Sequence, residues 1–112
     1  MPFLNVKTNV PVDAAAAERI KTQLGRDIAV LPGKSEAWLM VGIEPEYRLW
    51  FKGTDAPAAL VEASVFGEVD ASSAALTAKI CALLEKELGI PQDRTYVRYS
   101  AHENWGWNGS NF

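Results

Sequence analysis

One cysteine and one histidine among 112 residues remove several kinds of chemistry at the outset. A lone Cys81 cannot close an internal disulfide, and one Cys beside one His offers no metal-ligand spacing, so neither redox nor metal chemistry is expected. Cys81 lies in LTAKICALLEKEL, where a small buried helix residue is the expected role. No apolar stretch approaches the ~20 residues of a membrane span, and the opening MPFLNVKTNVPVD lacks the basic start and apolar run of a signal peptide. No block of like charge exists either. The 11 Lys and Arg are scattered among 14 Asp and Glu, for a formal charge of -3, so no basic stripe can track a phosphate backbone and nucleic acid is not an expected partner. The default compartment is the cytosol.

What is present is the composition of a folded protein: 48% hydrophobic and 22% charged residues, over a length that suits one domain spanning 1-112. PFLNVKTNV reads as a short strand closed by Pro11, which cannot donate to a continuing ladder. Asp13 can cap a helix over AAAAERIKTQLGRDIAVL, whose apolar positions Ala17, Ile20, Leu24, Ile28 and Leu31 describe one helical face. Gly25 weakens that helix and PGK stops it. AWLMVGI and YRLWFKG are strand candidates joined through EPE. AALVEASVF is a further strand, DASSAALTAKICALLEKELGI a second helix capped by Asp70 or Ser72 and ended at Gly89, RTYVRYSA a last strand, and WGWNGSNF an aromatic, Gly-rich tail.

Strand, helix, strand thus occurs twice, and each helical crossover requires its two flanking strands to run parallel. The expected architecture is α+β: a tandem βαβ repeat forming a four-stranded sheet with two helices on one face. The other face is left bare. With Trp38, Met40, Val65 and Val97 on it, that face reads as apolar, which predicts a homo-oligomer.

Pro2 stands directly behind the initiator methionine. With Met1 in place it is a stiff residue at the mouth of a strand; with Met1 removed its ring nitrogen is a free secondary amine. An α-amino group titrates near ~8, and an apolar pocket or a neighbouring ammonium lowers that value, matching the amine to proton abstraction beside a carbonyl.

MP at the start, NVP at 9-11, GK at 33-34, GTDAPAALVEASVFG, GIPQDRTYVRY and the WGWNGSNF tail, in this order, resemble the macrophage migration inhibitory factor family of the tautomerase superfamily. The resemblance implies a trimer whose sheets wrap into a barrel with helices outside and an active site at each subunit interface. It implies a cofactor-free keto-enol tautomerase (an isomerase) with Pro2 as general base and a small aromatic or conjugated α-keto acid, phenylpyruvate-like, as substrate. Lys34 would bind the substrate carboxylate or polarise its carbonyl; otherwise it is a solvated residue at a helix C-terminus. Tyr96 would enter from the neighbouring subunit as acid or donor, or else pack within its strand.

Arg98 shares the face of Tyr96 and replaces the smaller amide of many relatives, either clamping an anion or filling the pocket. Phe66 replaces an aliphatic residue whose backbone amide faces the substrate, and its bulk narrows the cavity. Trp38, Trp105 and Trp107 would complete the walls, with packing between subunits the other role open to Trp105. His102 is a surface or interface residue or a pH sensor. A Cys-x-x-Cys pair reads PAAL here, so thiol oxidoreductase activity has no residues to carry it. A cytokine-like receptor-binding protein with a vestigial pocket is the alternative, with a protein receptor as partner and secretion by a non-classical route left open. A hydrolytic or decarboxylating reaction of the same proline is a third.

Overall fold

The computed structural model describes residues 1–112. Seven alternating residues from Pro2 to Thr8 form β1, with Leu4 and Val6 fully buried beneath it. The Asp13 carboxylate accepts the Ala16 amide at 2.8 Å and starts α1 (Ala14–Asp27). The helical spacing foreseen through Leu31 is tightened in its last part to a 3₁₀ turn over Ile28–Val30. The strand expected from Ala37 begins only at Met40, because Glu36–Trp38 form another 3₁₀ turn; β2 is Met40–Glu44. β3 (Ala59–Phe66), α2 (Ser73–Leu88) and β4 (Thr95–His102) follow. Gly89, at φ 67, ends α2 in the left-handed conformation that glycine adopts without Cβ strain. Ser72 provides no side-chain cap; instead the Asp70 carboxylate takes the Ser72 amide ahead of the helix.

The sheet has the order β2-β1-β3-β4. β1 pairs parallel with β2 and β3 parallel with β4, while β1 and β3, at the centre, are antiparallel. This is the expected pair of βαβ units side by side. One cluster holds the two layers together, with Ile20, Leu24 and Ile28 from the first helical segment and Leu76, Ile80 and Leu84 from α2 lying on Leu4, Val6, Val61 and Val65. Cys81 is a buried thiol in α2, and burial raises its pKa.

Two expectations fail for physical reasons. YRLWFKG is no strand, because its segment turns at Lys52 (φ 53) and Gly53 (φ 76) and its carbonyls are taken by side chains rather than by a ladder. Asn9 Nδ2 donates to Leu49 and Arg94 Nη1 to Phe51, both at backbone oxygens.

The open sheet face is also not apolar. Val65 is buried on the helix side and Val97 packs against that same core, while Trp38 precedes the strand altogether. Strand parity instead places Met40, Phe3, Asn5, Lys7, Leu60, Glu62, Ser64, Tyr96, Arg98 and Ser100 on the open face. Its middle is an ionic network. Lys7 Nζ lies 3.1 Å from Glu62, Arg98 pairs with the same carboxylate, and Asn5 bridges to Glu44 at 2.8 Å.

Candidate active site

The start of β1 and the end of β3 lie side by side, Pro2 opposite Val65. Pro2 is buried on the helix side of the sheet. One residue further, the Phe66 amide donates to the Met1 carbonyl at 3.0 Å. Gly33, at φ 75, turns the chain after the 3₁₀ segment, and this turn brings Lys34 back over the sheet end. There Lys34 Nζ donates to the Phe66 carbonyl at 2.9 Å. Both backbone polar groups of Phe66 are therefore engaged, its N–H by the Met1 carbonyl and its C=O by the Lys34 ammonium. Burial, and after it the charge of Lys34, hold the Met1 α-amino group below its usual pKa. An amine at this place is biased toward its neutral form.

An aromatic wall stands beside this corner. Asn108 (φ 52) and Gly109 (φ 84) make the two-residue turn of a hairpin, β5 (Gly106–Trp107) against β6 (Ser110–Asn111). The Asn-Gly pair was the sequence signal for this hairpin, which the reading of a plain Gly-rich tail missed. Folding back lets Trp107 meet Trp38 edge-on at 5.0 Å and brings Phe112 within 5.4 Å of the Phe66 ring. Trp107 and Phe112 stack at 6.1 Å. Phe112 thus joins the wall, a residue that side-chain periodicity gives no reason to single out. Trp105 stands apart from it. Its ring contacts His102 at 5.8 Å, and its carbonyl accepts the Phe112 amide at 3.0 Å, so it closes the base of the hairpin.

Tyr96 and Arg98 are not brought to Pro2 within one chain. They share the open face, as their spacing required, whereas Pro2 faces the helices. Tyr96 lies opposite Leu60, which in turn lies opposite Lys7. Five residues of strand separate that level from Pro2, about 17 Å. Tyr96 is 62% exposed and meets the Phe51 ring edge-on at 5.1 Å. Arg94 and Asn9 fix the loop that carries Phe51. Arg94 donates to the carbonyls of Phe51, Thr54, Ala56 and Pro57, with its guanidinium 5.3 Å from the Phe51 ring centre. Asn9 donates to Leu49, Asp55 and Ala56 and accepts from the Ala58 amide. The NVP and DRxY motifs therefore hold one loop between them.

The cavity lined by Lys34, Val65 and Leu31 is only ≈ 50 Å³, far below the ~300–1,000 Å³ of small-molecule sites. A single chain supplies an amine, an ammonium, a peptide N–H and aromatic walls, but not an enclosed pocket. No three His, Cys, Asp or Glu side chains come together as metal ligands, and no helix is long and apolar enough to cross a membrane.

Comparison with known proteins is consistent along the whole chain. The family model for macrophage migration inhibitory factor matches residues 1–112. The chain is 34% identical over 115 residues to macrophage migration inhibitory factor of Mus musculus, covering 100% of this chain and 99% of that protein. It is 32% identical over 115 residues to a macrophage migration inhibitory factor homolog of Trichuris trichiura, covering 100% of both. The crystal structure of Leishmania major MIF2 superposes with a TM-score of 0.93 at 34% identity, over 100% of this chain and 97% of that one. The homologue from Prochlorococcus marinus gives 0.82 at 28% identity, over 98% of each chain.

Proposed function

The chain belongs to the macrophage migration inhibitory factor family, and from that premise we propose that it is a cofactor-free keto-enol tautomerase with Pro2 as general base. We take residues 1–112 as its single domain. The observation that carries this reading is the corner where the chain terminus, Lys34 and the Phe66 peptide meet.

Removal of Met1 leaves the Pro2 nitrogen as a secondary amine in that corner and frees the Phe66 N–H, now occupied by the Met1 carbonyl. The Met1 oxygen stands where a substrate oxygen would accept. For a phenylpyruvate-like acid, Pro2 takes the proton from the carbon beside the ketone and the electron pair passes to the ketone oxygen. Lys34 and the Phe66 N–H stabilise the developing negative charge or the carboxylate next to it. Protonation of that oxygen, by Tyr96 of an adjoining subunit, completes the enol. Trp38, Phe66, Trp107 and Phe112 flank the substrate ring, and Trp105 supports their hairpin.

This chemistry needs a second subunit for Tyr96 and Arg98, and a homotrimer is the assembly we propose. Both sheet edges, β2 and β4, are open in the single chain, a state that natural sheets cover. Large side chains are exposed at both ends of the sheet: Met40 and Trp107 near Pro2, Trp50 and Tyr96 at the other.

The test is intact mass combined with phenylpyruvate tautomerisation. Met1 is expected to be absent, and Pro2→Gly to lower kcat/KM by about 10²–10⁴. Full activity with Met1 retained, or in Pro2→Gly, overturns the assignment. The cytokine-like reading draws support from Phe66 and Phe112, whose rings pack against each other at 5.4 Å at the end of β3 and leave less open space there. It predicts a processed Pro2 terminus with negligible turnover.

A further inference from the structure

Arg98 is the one cation placed beside Tyr96 on the open face of β4, and it is already engaged. Its Nη2 pairs with Glu62 on the neighbouring strand, and Nη2 is the nitrogen common to both two-pronged edges of a guanidinium. A ligand carboxylate seeking a bidentate grip finds one Nη2 hydrogen already taken by Glu62, and at the remaining edge it meets a guanidinium whose charge that carboxylate offsets. Glu62 cannot easily yield. Lys7 Nζ holds its other oxygen at 3.1 Å and Asn5 Nδ2 reaches the same atom at 3.4 Å, with Asn5 itself tied to Glu44. The Glu62 side chain is 24% exposed against 65% for Arg98, so the carboxylate is the anchored member and the guanidinium the movable one. Lys7 keeps Glu62 ionised by lowering its pKa.

We propose that Glu62 is a specificity-determining residue: a built-in competitor that limits how strongly Arg98 attracts an anionic ligand delivered to the adjoining site. This rests on the reading above, in which the β4 face completes a neighbour's Pro2 site. The competition lowers the advantage of a carboxylate substrate over a neutral one without abolishing it. Arg98 is therefore neither a free clamp nor an inert filler, and its carboxylate partner on β3 sets the balance between the two.

Equilibrium binding to the intact, assembled protein tests this without turnover, using cinnamate and cinnamamide as probes and tryptophan fluorescence as readout. In Glu62→Gln the acid-over-amide affinity ratio should rise about two- to fivefold, the size that one partly exposed ion pair commands. In Glu62→Gln/Arg98→Gln the rise should vanish. An unchanged ratio in Glu62→Gln, or a rise that persists without Arg98, overturns the proposal. Circular dichroism of each variant verifies folding. Failure of Pro2 as base would appear in turnover alone, so the two claims fail separately.

Discussion

Replacing Arg94 by Ala tests whether the DRxY arginine is a loop clamp. Its guanidinium donates to four backbone carbonyls at 2.9–3.1 Å. Hydrogen bonds to a charged group are worth about 1.5–3 kcal/mol each when water cannot replace them. Three of the four are exposed, and water takes over most of their value; the bond to Phe51 is partly buried and is not so easily replaced. The cation over the Phe51 ring adds about 0.5–1 kcal/mol. The expected loss is therefore about 2–3 kcal/mol, far below what four buried bonds would give. At an m-value of about 1–3 kcal/mol/M the urea midpoint should fall by roughly 0.7–3 M, measured at fixed protein concentration because assembly contributes to apparent stability. Amide exchange should quicken over Phe51–Ala58 before it does in the sheet. Arg94→Lys should recover part of the loss, since one ammonium reaches fewer carbonyls. A midpoint unchanged in Arg94→Ala, with exchange in the loop unaltered, would refute the clamp.

Gly25→Ala should stabilise the protein by about 0.5–1 kcal/mol in urea unfolding, because the exposed Glu36 side chain, whose Oε2, Cδ and Cγ lie within 3.0 Å of the added Cβ, is free to swing away; a loss would mean that Glu36 is fixed against α1. Gly109→Ala should cost about 1–2 kcal/mol locally, since the turn needs φ 84 there, and should red-shift tryptophan emission as the hairpin loosens. Glu62 has a folded pKa below its unfolded one, chiefly through Lys7, so its contribution is present above pH ~4.3 and lost as pH falls through the folded value. The acid limb of the stability profile should accordingly flatten in Glu62→Gln; an identical limb would show that the Lys7 pair adds nothing.

The sheet, the helices and their order were legible in the sequence because each depends on local periodicity and punctuation. Period-two burial along β1 and β3, the Asp13 cap and Gly89 all act within a few residues of themselves. The same patterning, with two crossovers, required the parallel pairs, and the ordered motifs along the chain carried the family.

Other features were decided at long range. YRLWFKG has strand composition, yet Asn9 and Arg94, distant in sequence, take its carbonyls and leave no ladder. Face assignment failed for Val65 and Val97 because a one-residue change of parity turns a side chain over, and only pairing sets parity. Phe112 reaches Phe66 only after a turn reverses the tail, and Arg98 meets Glu62 only because β3 lies beside β4. Local steric preference wrote the elements; pairing between distant segments decided which side chains meet, because no residue-by-residue pattern encodes its partner across a sheet.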